Sequence, residues 1–249
     1  MRKGWNNMRD YQAEFRNRVA FIRRLVADCH ADGIVYGNSG GKDCTLVGLL
    51  CKAACDNTVG VIMPCASRRN YGSDTEDALA AARQYEIETR TVDLTKVRAA
   101  LLEELAPVTD MLDSSAANIA PRLRMTTLYA IAGSENRLVA GTGNRSEIYM
   151  GYFTKLGDGA YDFDPIADLT ATEVIAFLRY LEAPRSITEK APSAGLYEGQ
   201  TDEQEMGVTY AAIDTYLQEG TASKKDLEII QRYHARSEHK RRPSTTYPG

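Results

Sequence analysis

At 249 residues, 43% of them hydrophobic and 26% charged, the chain has the length and apolar content for one large domain with a buried core. A formal charge of -4 argues against a surface built mainly for nucleic acid, and no window approaches a membrane span. The five cysteines (Cys29, Cys44, Cys51, Cys55 and Cys65) contain no C-x-x-C pair, which points away from a zinc ribbon or disulfide framework and towards a reducing cytoplasmic setting.

Met1 to Asp10 is polar and basic with no apolar h-region, so it reads as a flexible N-terminus and not a signal peptide. Tyr11 to Ala31 then places Phe15, Val19, Ile22, Leu25 and Val26 at helical spacing, an amphipathic helix that should pack on a sheet. Three short apolar runs follow, Gly33 to Gly37, Thr58 to Pro64 and Ile87 to Leu94. Helix-like stretches from Asp43 to Cys55 and Asp74 to Tyr85 separate them, the rhythm of βαβ units. Cys51 and Cys55 share a face of the first stretch and are expected to be buried thiols. A helix from Ser115 to Ala132 and a fourth strand from Arg137 to Ala140 come next. Thr170 to Glu182 reads as a helix with Asp168 as its N-cap. Lys190 to Gly207, rich in Gly, Ser, Gln and acids, is either a mobile active-site lid or unstructured, and it is assigned here as a lid. Val208 to Gln218 and Ala222 to Arg236 are expected to be helical, with residues 244–249 a short tail. The whole reads as a single α/β domain over 1–249, doubly wound, with a mainly parallel five-stranded sheet and helices on both faces.

The densest chemical signal is Gly37-Asn38-Ser39-Gly40-Gly41-Lys42-Asp43-Cys44, between the first apolar run and its helix. A strand ending in a glycine turn that opens a helix aims successive N–H groups at one point, where the helix dipole adds to their pull on anions. Ser39 adds a hydroxyl, Lys42 a cation, and Asp43 a carboxylate able to hold Mg²⁺ beside bound phosphates. The spacing is not that of a Walker A loop, because the acid follows the lysine directly. The fourth strand ends in a second glycine turn, Gly141-Thr142-Gly143-Asn144-Arg145-Ser146-Glu147, at the same carboxyl edge of the sheet.

The run S-G-G-K-D resembles the PP-loop of N-type ATP pyrophosphatases, which split ATP into AMP and pyrophosphate while adenylating a substrate oxygen. Three further blocks narrow the resemblance: Gly141 to Gly159, Lys190 to Glu203, and E-H-K-R-R-P from Glu238 to Pro243. Together they are similar to ammonia-dependent NAD synthetases from about Tyr11 onward. The resemblance implies an α/β homodimer, with its dinucleotide site near the subunit interface, that converts nicotinic acid adenine dinucleotide (deamido-NAD) to NAD⁺ with ATP, Mg²⁺ and ammonia. It implies no nucleic-acid or membrane partner. Residues 37–44 (Gly37, Asn38, Ser39, Gly40, Gly41, Lys42, Asp43 and Cys44), with Thr142 and Ser193, would contact ATP. Asp43 and Glu147 would coordinate Mg²⁺, and Arg122, Lys155, Asp162, His239 and Lys240 would contact deamido-NAD. Asp158 would orient ammonia.

The chemistry accounts for these residue types. A carboxylate must be activated before amidation, and bringing it against a triphosphate requires cations, backbone donors and a metal to neutralise the leaving pyrophosphate. The sequence departs from the pattern at Cys44, where serine or threonine is usual, and at Ala171, where a lysine that contacts ATP is common; Lys42, Arg68 or Arg69 could supply that charge. Two rival readings are a tRNA-thiolating or lysidine-forming enzyme and a nucleotide-binding regulator without turnover. The first would want catalytic cysteines or an RNA-binding extension, and the sequence shows neither a C-x-x-C pair nor excess positive charge. No second catalytic domain for releasing ammonia from glutamine is expected within this length.

Overall fold

The computed structural model describes residues 9–65, 73–189 and 201–247. Among them, four strands form one parallel sheet: β1 (Gly33–Gly37), β2 (Thr58–Ile62), β3 (Glu88–Thr91) and β4 (Arg137–Ala140), in the spatial order β3-β2-β1-β4. Val35 of β1 stands opposite Val59 and Val139. The first helices are α1 (Tyr11–Asp28), α2 (Lys42–Ala54), α3 (Ser73–Gln84), α4 (Thr95–Leu105), α5 (Asp113–Ala117), α6 (Ile119–Glu135) and α7 (Arg145–Met150). They are followed by α8 (Ala171–Tyr180), α9 (Arg185–Thr188), α10 (Asp202–Met206), α11 (Tyr210–Glu219), α12 (Lys224–Arg236) and α13 (Glu238–Arg241).

Side chains alternate across a strand, so β1 divides its apolar residues between two cores. Ile34 and Tyr36 face Val19 and Ile22 of α1, Leu46 and Leu50 of α2, and Phe177 of α8. Val35 joins Val59, Val61 and Val139 on the other face, covered by Ala132 and Leu128 of α6. Tyr36 is 1% exposed, and its ring is wedged where α2 crosses β2. A Cβ at Gly48 would lie 2.3 Å from the Tyr36 hydroxyl oxygen, and one at Gly60 would lie 3.0 Å from it. A separate third cluster joins Met150, Ala171, Met206, Tyr210, Ile213 and Ile230, so α7, α10, α11 and α12 pack as a satellite beside the sheet.

The expected fifth strand is absent from the described residues. In its place Phe163 makes a single parallel bridge to Ala140. The Asp162 carboxylate takes the Val139 N–H at 2.7 Å, a donor that a further strand would need, and Pro165 ends the segment without an N–H of its own. Other boundaries differ as well. The helix expected over Ser115 to Ala132 is two, broken at Asn118, and α4 was not anticipated. Thr170, not Asp168, caps α8, in a capping box with Glu173. Asp168 instead pairs with Arg9 at 3.0 Å and Arg18 at 2.6 Å, tying the start of α1 to the loop before α8. Of the expected lid, residues 190–200 lie outside the described residues. Asp202–Met206 is helix α10, with Asp202 4% and Met206 2% exposed. All five cysteines are free, with Cys51 buried and Cys55 partly so.

Asp164 couples this non-strand to the sheet. Its carboxylate accepts from Gly143 N at 3.0 Å and Ile166 N at 2.9 Å. Burial raises its pKa from 3.8 to about 7 against the pull of those two donors. In the unfolded chain the group ionises at its ordinary value, whereas the fold holds the proton longer. The associated stability is therefore fully present below pH 3.8 and lost as pH rises through about 7. Wild-type stability, measured against an Asp164→Asn variant by denaturant melts across that range, should fall by on the order of 4 kcal/mol; parallel curves would contradict the assignment. Gly48→Ala should cost ~1–3 kcal/mol through the clash with Tyr36, and an unchanged denaturation midpoint would count against the wedge.

Candidate active site

The strand order reverses at β1, with β2 on one side and β4 on the other, and the crevice outside the carboxyl ends of β1 and β4 is where open α/β sheets bind ligands. Both glycine turns open there. After β1, Asn38 donates its backbone N–H to Val61 O at 2.9 Å and its side-chain amide to Ala78 O at 3.2 Å, pinning the turn to β2 and α3. The Asn38 side-chain oxygen accepts from Gly40 N at 3.3 Å. Gly40 has φ +74°, and a Cβ there would stand 2.1 Å from Asp74 O, so both its conformation and its surroundings require glycine. Cys44 sits inside the turn with its sulfur 3.3 Å from Ser39 Oγ and 3.2 Å from Gly41 O. Burial pushes its thiol pKa up, so it serves as a packed donor and not a nucleophile. Thr45 Oγ1 also donates to Gly41 O, at 2.8 Å.

The turn after β4 presents the second half of the site. Asn144 caps α7: its side-chain oxygen accepts from Ser146 N and Glu147 N, both at 3.1 Å, while Glu147 Oε2 accepts from Asn144 N at 3.2 Å. The Asn144 amide then reaches across the crevice to donate to Asp43 Oδ1 at 3.1 Å. Each carboxylate thus has one oxygen held by Asn144 and its other oxygen turned inward. Lys42 Nζ lies at 2.5 Å from Asp43 Oδ2 and 3.8 Å from Glu147 Oε1. Tyr210 OH donates to Asp202 Oδ2 at 3.0 Å and stands 3.5 Å from Glu147 Oε1. Burial, and next the nearby Asp43 charge, push the Glu147 pKa well above the carboxylate range. For Lys42, burial works against the charge, but Asp43 and Glu147 outweigh it and the pKa rises. Among the described residues no three His, Cys, Asp or Glu side chains gather as a metal site. Two hard oxygens facing one cation are a donor set that Mg²⁺ uses when phosphate oxygens and waters complete its octahedron, so the pair fits that ion.

A second group lies at the far end of α7, about 9 Å along a six-residue helix. Lys240 Nζ donates to Gly151 O at 3.0 Å and Phe153 O at 2.9 Å, and Lys155 Nζ donates to His239 O at 2.8 Å. Thr154 N donates to Asp158 Oδ1 at 2.9 Å, and Thr154 Oγ1 bonds Asn118 Oδ1 at 2.5 Å. Arg122 is exposed on α6, its guanidinium 3.5 Å from Asn118 O. Arg122, Lys155, Asp158, His239 and Lys240 therefore share one face. Asp162 stands apart, held by Tyr129 OH at 3.2 Å and Val139 N. Thr142 lies in the turn beside the acid pair, whereas Ser193, Arg68 and Arg69 fall outside the described residues. Ala171 is 1% exposed in the satellite cluster, with its N–H on Ser146 Oγ at 3.1 Å.

Sequence reasoning missed Asn144, Asp164, Asp202 and Tyr210. The Asn-x-x-Glu spacing of residues 144–147 was a readable capping-box signal. The others meet the site only through tertiary packing.

Comparison with known proteins agrees with this arrangement. The family model described as NAD synthase matches residues 14–244. The NH(3)-dependent NAD(+) synthetase of Carboxydothermus hydrogenoformans is 44% identical over 94% of this chain and 96% of its own length. A solved structure of NMN synthetase from Francisella tularensis superposes with a TM-score of 0.92 at 38% identity, covering 97% of this chain and 100% of that one. An NH3-dependent NAD synthetase from Campylobacter jejuni, solved with a nitrate ion, gives a TM-score of 0.79 at 27% identity, over 96% and 99% of the two chains. With two glycine turns and an acid pair meeting at the switch point of the sheet, the chain belongs to the NAD synthase family.

Proposed function

We propose that the chain amidates nicotinic acid adenine dinucleotide to NAD⁺ with ammonia, using ATP and Mg²⁺ and releasing AMP and pyrophosphate. The observation that carries this reading is the convergence of the 37–44 cradle with Asp43 and Glu147 in a chain of this family. The N–H groups of the cradle and the N-terminus of α2 would hold the ATP phosphates, with Thr142 and Ser193 as further contacts. Asp43 and Glu147 would hold Mg²⁺, which when bound neutralises charge on the departing pyrophosphate. Arg122, Lys155, Asp162, His239 and Lys240 would bind the dinucleotide and bring its carboxylate against the α-phosphorus. Attack there gives the acyl-adenylate. Asp158, its Oδ1 held by Thr154 N, would orient the ammonia that displaces AMP.

Two features support a homodimer whose dinucleotide site lies near the interface: Arg122, Asp162 and His239 are exposed, and they belong to two separate patches. Five free cysteines support a cytoplasmic location. Among the described residues no helix is long and apolar enough to cross a membrane.

The Francisella structure, at a TM-score of 0.92, favours a second reading in which the same amidation acts on the mononucleotide acid and yields NMN. The two readings share the cradle and differ only in whether an adenylyl half must be bound. Purified protein supplied with ATP, Mg²⁺ and ammonium should form NAD⁺ from deamido-NAD in step with AMP. A higher kcat/KM for nicotinic acid mononucleotide would select the second reading, and AMP release independent of either acid would remove both. Asp43→Asn and Glu147→Gln should each lower kcat/KM by ~100-fold or more, about 3 kcal/mol of transition-state stabilisation. Full activity in either variant at ordinary Mg²⁺ would refute the metal pair.

A further inference from the structure

The ammonium of Lys42 stands where a metal bridging Asp43 and Glu147 would have to be. Its side chain is 7% exposed, and Nζ contacts the two inward oxygens, Asp43 Oδ2 at 2.5 Å and Glu147 Oε1 at 3.8 Å. The other oxygen of each acid is committed to Asn144. The Tyr210 ring closes one side, its centroid 5.5 Å from Nζ, and its hydroxyl donates to Asp202 Oδ2 while standing 3.5 Å from Glu147 Oε1. Mg²⁺ would need those inward oxygens at roughly 2.0–2.1 Å, a position from which Nζ is excluded by contact.

We propose that Lys42 is the resident counter-ion of the metal pair. It holds Asp43 and Glu147 in register without metal, keeps free divalent ions out, and yields its place only when a polyphosphate arrives. A free Mg²⁺ ion would have to expel the ammonium from two carboxylates inside a largely closed site and leave it beside the new dication. A metal-bound nucleotide brings its own negative charge to the N-terminus of α2, where Lys42 is the first helical residue and can turn its ammonium onto phosphate oxygen. The residue is thus a positioning residue that makes metal entry conditional on nucleotide. The inference rests on reading Asp43 and Glu147 as the metal pair.

The test is divalent-metal binding without turnover. Mn²⁺ would be titrated into nucleotide-free wild type and Lys42→Gln, followed by loss of the free-ion paramagnetic resonance signal. The variant should bind Mn²⁺ at least tenfold more tightly than wild type. With a non-hydrolysable ATP analogue present, wild type should gain metal affinity beyond that of the analogue alone, and the tenfold gap should close. Equal affinities in the nucleotide-free proteins would overturn the proposal.

Should the variant fail to fold, the ¹⁵Nζ resonance of Lys42 in wild type, assigned by its disappearance in Lys42→Arg, gives a second reading. It should stay in place with Mg²⁺ alone and shift with Mg²⁺ plus the analogue; a shift with Mg²⁺ alone would overturn the proposal. If neither protein binds Mn²⁺ even with the analogue, the proposal fails together with the metal pair, while amidation by wild type would stand on its own assay.

Discussion

One asparagine side chain joins the halves of the site. The loop after β1 and the loop after β4 are about a hundred residues apart in sequence, and parallel pairing brings their starting points side by side. What fixes their relative height is Asn144, whose oxygen starts α7 while its amide holds Asp43. Glu147 closes the same capping box, so the geometry that begins the helix also sets the separation of the two acids. An amide is suited to this work. It donates and accepts without a charge of its own, whereas a third carboxylate would add repulsion beside Glu147, whose carboxyl burial already pushes towards protonation.

Much of this was legible in the sequence. The runs of β1 and β2 stand out because each is short, apolar and bounded by turn residues, and the alternation within Gly33–Gly37 maps onto two cores, with Ile34 and Tyr36 on one face and Val35 on the other. The turn after β1 was legible because paired glycines between an apolar run and a helical pattern mark a strand-to-helix turn, and Gly40 stands there at φ +74° just before α2. The failures have physical causes. Helix α4 buries no residue fully, leaving Val97 51% and Leu101 38% exposed, so its apolar periodicity is weak. The fifth strand was expected from fold class alone, and at Asp162 a side-chain carboxylate takes the donor a strand would pair. Lys42 was read as a cation for phosphate. No local pattern announces that two acids, one beside it and one far along the chain, would converge on its ammonium.

Ala171 shows how a difference at one position is absorbed by its neighbours. Its N–H completes a junction in which Asp214 accepts from Ser146 Oγ at 2.5 Å and from Thr172 N at 2.8 Å, joining the starts of α7 and α8 to α11. Its methyl group is buried with Met206 and Tyr210. The position has become part of a packed seam, and the positive charge nearest the acids comes from the neighbouring cradle.

The chain's last helix closes over the end of α7. Ser237 is 5% exposed, donates to Met150 O at 3.2 Å, and sits so tightly against Gly151 that a Cβ there would lie 2.0 Å from its own. Arg241 adds a bond to Tyr149 O at 3.3 Å. Helix α7 is too short to hold its shape by its own hydrogen bonds, so its two ends are maintained from different places, one by Asn144 and the other by residues nearly a hundred positions later. A protease that removed residues 237–249, taking Ser237 and Arg241 together, would leave the sheet and cradle folded while releasing the helix that aims Glu147. The clipped product would pass as folded by its core and fail at its chemistry.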